Sequence, residues 1–173
     1  MTGRVIVSRD ILRSISEDVR RWPRRVETGG PLFGFESTDG LVVIAADPVQ
    51  RAERSPRGFV PDPRDVKVRI SHHYGISDGW HRYVGSWHTH PGGTPRPSRT
   101  DLHNAKRMAA EPGVNLPAPL FAIVATRRLP LVDPVNEVRF WRWSPESSAL
   151  REVPAVWWSD GMGPDIGMPT QVV

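Results

Sequence analysis

Residues 85–102 read GSWHTHPGGTPRPSRTDL. His88 and His90 are two apart on a strand predicted over 82–90, so both side chains project from the same face. The proline- and glycine-rich run PGGTPRP then predicts a loop. Ser98 begins a helix, and Asp101 falls in its first turn, after a loop long enough to fold back toward the histidines. Two imidazoles and a carboxylate make a ligand set for one metal ion. Three such ligands leave a tetrahedral zinc one open position for water, as a catalytic rather than a structural site requires. Zinc in such a site lowers the pKa of that water to roughly 7 and polarises a bound carbonyl.

Working outward, residues 5–8 read as a short strand. A helix capped by Ser8 or Asp10 follows, with Ile11, Leu12, Ile15, Val19 and Trp22 at helical spacing and Pro23 as its stop. ETGGPLFGFE, STDG and LVVIAA read as a hairpin. Residues 47–62, polar and carrying several prolines, are expected to be a loop. Asp62 is expected to cap a helix from Pro63 with Val66, Ile70 and Tyr74 on one side. Downstream, Leu102, Ala105 and Ala109 share a helix face, and PLFAIVAT and EVRFWRW are two more strands. The fold class expected is α+β (mixed α/β), one mixed sheet packed with three helices. Residues 1–150 form the domain and residues 151–173, rich in Pro, Gly and Met, a loosely attached tail. Trp157 and Trp158 are expected to pack that tail onto the domain rather than to dock a partner.

The chain has 173 residues, a length that suits one compact domain, and 38% hydrophobic with 24% charged residues is ordinary globular composition. No apolar run approaches the roughly 20 residues of a membrane span, and MTGRVIVSRD lacks the apolar length of a signal peptide. The absence of cysteine makes the reducing cytoplasm the expected compartment and restricts metal ligands to His and carboxylate. The formal charge of +4 is spread along the chain apart from a short cluster at Arg20, Arg21, Arg24 and Arg25, a pattern that does not argue for nucleic acid.

A nucleophilic water needs a base, and Glu27, just before the strand GGPLFG, is the candidate if its strand neighbours the histidine strand. Each residue also has a plainer explanation. Ser98 and Asp101 fit a helix capping box, His88 and His90 fit half-buried strand positions beside Trp87, and Glu27 fits a surface carboxylate. His72, His73, His81 and His103 lack partner spacing and read as surface residues.

The pattern H-x-H-P-x6-S-x-x-D with an upstream Glu resembles the signature of the JAMM, or MPN-plus, metallopeptidases, and His88, His90, Ser98, Asp101 and Glu27 fill every position. The resemblance implies one zinc per chain on His88, His90 and Asp101. It further implies Glu27 as general base and then acid, and Ser98 as hydrogen-bond donor to the developing oxyanion. ETGGPLFG, the AERSP loop and VGSWHTHP look similar to small stand-alone bacterial members, which act beside ubiquitin-like proteins and their activating enzymes. The implied substrate is the C-terminal tail of a ubiquitin-like or sulfur-carrier protein, with activating or conjugating enzymes as associated partners. HTHPGGTPRPSRTD also resembles RadC-like proteins, associated with DNA repair; those typically carry an N-terminal helix-hairpin-helix region, and this chain starts directly in the domain. A third reading is a metal-binding scaffold without activity, which would need neither Glu27 nor Ser98.

Overall fold

The computed structural model describes residues 3–129 and 132–158. β1 (Val5–Ser8) is buried throughout. In α1 (Asp10–Arg21) the residues Ile11, Ile15 and Val19 recur every four positions and bury as one stripe against the sheet. Full burial of each such side chain contributes about 1.5–3 kcal/mol. The N-cap is Arg9, which makes no side-chain cap bond, rather than Ser8 or Asp10. Ser8 Oγ still accepts from the Asp10 N–H at 3.2 Å, so the serine serves the helix end from one residue further out. Pro23 follows the C-cap Trp22 and stops the helix.

β2 (Gly29–Ser37) and β3 (Gly40–Ala46) form the expected antiparallel hairpin. Residues 47–62 differ from the expected loop: β4 (Ala52–Ser55) and β5 (Gly58–Pro61) pair as a second, two-stranded sheet. The prolines that argue for a loop sit in the turn, as Pro56, and at the strand end, as Pro61, where no ladder donor is lost. α2 (Pro63–Ile76) starts as expected, with the Asp62 carboxylate accepting from the Arg64 N–H at 2.8 Å. Its inward residue, however, is His73, while Tyr74 is exposed. His73 stacks on Phe33 with ring centroids 3.9 Å apart, and its Nε2 lies 3.1 Å from Asp47 Oδ2. That carboxylate makes burial of the imidazole tolerable, so the surface reading of His73 is corrected.

β6 (Arg82–Pro91), α3 (Arg99–Ala110) and β7 (Leu120–Thr126) form a parallel strand–helix–strand unit, and β8 (Val135–Ser144) returns antiparallel to β7. β9 (Ala149–Val153) pairs with β8, and β10 (Ala155–Trp158) runs parallel to β1. The main sheet therefore has the order β10-β1-β3-β2-β6-β7-β8-β9, with β6 and β7 well inside it. β7 reads as a continuous apolar run because its seven residues are all buried. Gly85 sits at φ +153°, and a Cβ there would lie 1.8 Å from the Leu120 carbonyl oxygen, so β6 and β7 approach closely only with glycine.

The fold is mixed α+β as expected. The division placed at residue 151 falls inside β9. Residues 151–158 belong to the sheet, since Val153 is buried in the core and Trp157 packs on Phe140 at 5.8 Å between centroids. The remainder of the expected tail lies outside the described residues. Among those residues no helix is long and apolar enough to cross a membrane.

Candidate metal centre

Strand alternation delivers what the spacing predicted. His88 Nε2 and His90 Nε2 face each other at 3.1 Å from the same side of β6. His88 Nε2 is 3.1 Å from Asp101 Oδ1, and His90 Nε2 is 3.7 Å from Asp101 Oδ2. Asp101 is carried there by the loop between β6 and α3, which several ties hold in shape. The Gly92 N–H donates to Thr126 O at 2.8 Å, Arg128 Nε to Pro91 O at 3.1 Å, and Trp141 Nε1 to Pro95 O at 2.9 Å. The capping box is also present: the Ser98 N–H donates to Asp101 Oδ2 at 2.6 Å, and the Asp101 N–H to Ser98 Oγ at 3.2 Å. Cap and cluster are thus not rival readings. Asp101 Oδ2 serves the helix end while Oδ1 faces His88.

The donor set fits a metal ion on two grounds. His90 Nδ1 lies 2.9 Å from the Thr94 carbonyl, so in the neutral ring Nδ1 carries the proton and Nε2 presents its lone pair to the cluster. A buried carboxylate beside that lone pair, with His88 Nε2 facing both, suits a cation. One ligand atom from each of His88, His90 and Asp101 lies within 4.8 Å of the others, close enough for a single ion to reach all three. Burial opposes ionisation of Asp101, but the attraction of the neighbouring His88 and His90 and the contact with Ser98 outweigh that cost and hold it well below the usual carboxylate range.

Glu27 enters from the neighbouring strand. β2 runs antiparallel to β6 with Gly29 opposite His88. Beyond that pair the Thr89 N–H donates to Thr28 O at 2.9 Å and the Thr28 N–H to Thr89 Oγ1 at 3.0 Å, which carries Glu27 alongside His90. The adjacency that the sequence left open is therefore present. Burial pushes the Glu27 carboxyl up, against the opposing pull of His88 and His90. Its own N–H donates to Ser55 O at 2.9 Å. Glu27, His88, His90, Ser98 and Asp101 all line one cleft of about 1070 Å³, with β5 and α2 on one wall and α3 on the other.

Sequence reading missed the residues that hold Glu27 in place. Asp18 is buried in α1, accepts from Thr28 Oγ1 at 2.5 Å and from Trp22 Nε1 at 3.2 Å, and so anchors the residue next to Glu27. A signal existed: Asp18 adjoins the apolar stripe and sits four residues before Trp22, an acid on the inner edge of a helix. Thr89, between the two histidines, carried none, because its role needs the partner strand.

The fold and this cluster of His88, His90 and Asp101 suit a metal-dependent hydrolase. The sequence profile described as prokaryotic homologs of the JAB domain (Prok-JAB) matches residues 8–144, and the chain belongs to that family, as a hydrolase of the metallopeptidase class. It is 29% identical over 121 residues to "Probable metalloprotease y4qB" of Sinorhizobium fredii, covering 68% of this chain and 73% of that one. It is 32% identical over 121 residues to a "CD-NTase/cGAS isopeptidase" of Enterobacter hormaechei, covering 69% of this chain and 66% of the relative's length. A solution structure of a Desulfitobacterium hafniense protein shares the fold at 18% identity, with a TM-score of 0.67 over 90% of this chain and 94% of that one.

Proposed function

We propose that the chain is a zinc peptidase or isopeptidase that cleaves after the C-terminal glycine of a ubiquitin-like or sulfur-carrier protein. The observation that carries this reading is the β2–β6 register, which sets Glu27 alongside His90 while His88, His90 and Asp101 converge. Bound by those three residues, zinc supplies Lewis acidity to a carbonyl and to a water. Glu27, its carboxyl raised by burial, takes the proton from the attacking water and passes it to the leaving amine. Ser98 lines the same cleft, and its hydroxyl, which contacts Asp101 in the resting site, would donate to the developing oxyanion.

Substrate geometry supports the same reading. Among the described residues β5 pairs with β4 alone, and its residues line the cleft. An extended tail added along β5 would bring small residues over the site, and glycines suit a narrow approach. The names of the relatives, one a metalloprotease and one an isopeptidase, point to protein substrates. To test this, ubiquitin-like proteins extended beyond a terminal Gly-Gly, or joined through it to a lysine side chain, would be incubated with zinc-loaded protein and the products weighed. The expected product ends at the glycine. Nuclease activity on DNA without cleavage of any such fusion would replace the reading with the RadC-like one.

A further inference from the structure

We propose that the cleft selects a peptide segment with acidic side chains beside the bond to be cut, a specificity that rests on the peptidase reading and sharpens it. The cleft is lined by Arg57, Lys67, Arg99, Arg107 and Arg128, all exposed. Among the described residues its only carboxylates are Glu27 and Asp101, both at the base and both committed to the site. The whole chain is far more balanced, with 23 Lys and Arg against 19 Asp and Glu. Some arginines elsewhere find carboxylates: Arg4 with Asp39, Arg69 with Asp65, Arg139 with Glu137, and Arg142 with Glu36. None of the five cleft cations makes an ion pair among the described residues, so with only two carboxylates at its base the cleft carries an excess of positive charge.

The charges are also spaced for an extended chain. Arg99 opens α3 beside Ser98, and Arg107 lies eight residues further on, about 12 Å along the helix at 1.5 Å per residue. A strand covers that distance in about three to four residues at roughly 3.3 Å each. Arg57 and Lys67 face the same space from the other wall. Each exposed charge is individually weak, but several of one sign in a single cleft add into a field that orients and selects a partner.

Nucleic acid fits these observations less well. A single strand needs a row of exposed aromatic faces for successive bases, whereas of the aromatic residues lining the cleft Trp87 and Phe121 are buried and Phe59 and Tyr83 are only partly exposed. Half-buried Val66, Ile70 and Met108 lie between the charges, which suits side chains of a peptide rather than a phosphate ladder.

Three fluorescent peptides would test the proposal, each with one Gly-Gly junction and flanks of glutamate, serine or lysine. Anisotropy on versions N-methylated at the junction gives binding; the unmethylated peptides give cleavage. Zinc-loaded protein should bind the glutamate peptide about tenfold more tightly than the lysine peptide, with the gap shrinking between about 50 and 300 mM salt. Arg107→Glu combined with Lys67→Glu, both at exposed helix positions, should reverse that order while leaving the circular dichroism spectrum unchanged. Equal binding of all three peptides, or displacement of the glutamate peptide by oligothymidylate at lower concentration, overturns the proposal. Equal cleavage of the three would leave the peptidase standing and remove the charge preference. Acid-selective binding with no cleavage would support the preference and remove the peptidase.

Discussion

The strand that carries His88 and His90 and the outer wall of its cleft are built differently. On one flank β7 runs parallel to β6 from Gly85 to Pro91, buried along its whole length. On the other side of the cleft, β4–β5 forms a sheet of its own. Its ties include the Glu27 N–H to Ser55 O, Arg54 Nη2 to Val49 O at 2.6 Å, Arg54 lying 3.7 Å over the Trp22 ring, and Phe59 packed near Gly29. The two histidines proposed as metal donors, whose positions would have to hold within fractions of an ångström, ride on the close-packed strand. The wall that would meet substrate rides on the separate two-stranded sheet, where accommodation costs little.

The contrast predicts a ranked set of effects. Gly85→Ala should be the most destructive, because the new Cβ meets backbone at 1.8 Å and neither strand can yield. We expect a loss of more than about 4 kcal/mol in urea unfolding; a loss under about 1 kcal/mol would show that β6 and β7 are not locked together.

Ser98→Ala should retain metal while turnover falls by a factor of about 10² to 10³. The lost cap should cost about 1 kcal/mol of stability as well. Intact turnover with reduced stability would leave Ser98 as a helix cap alone. Arg54→Ala should change least. Zinc content and unfolding midpoint should stay near wild type, while hydrogen exchange quickens across residues 52–61 and KM rises about three- to tenfold with kcat little altered. Faster exchange spreading into β6 and β7 would erase the distinction between the strand and the wall.

The same division explains what the sequence disclosed. His88, His90, Ser98 and Asp101 lie within fourteen residues, so strand alternation and one helix start suffice to bring them together. Glu27 could be named from its motif but not placed, because its position depends on β2 pairing with a strand some sixty residues away. Hairpin β4–β5 has four-residue strands without apolar alternation, and nothing in its local pattern separates it from a loop. β10 was hidden in the expected tail because its partner is β1, at the other end of the chain. His73 was misread because the carboxylate that steadies it belongs to Asp47, just past β3.

Glu27 is proposed to move protons beside the metal without holding it. Glu27→Gln keeps the size and hydrogen-bonding reach of the side chain and removes only its basicity. Zinc content would be measured alongside single-turnover cleavage of a Gly-Gly fusion, with His88→Ala as the comparator. The account predicts near one zinc per chain in Glu27→Gln, a cleavage rate lower by about 10² to 10⁴, and little zinc in His88→Ala. Zinc lost together with Glu27 would make the residue a ligand, and an unchanged rate would leave it a bystander; either result contradicts the account.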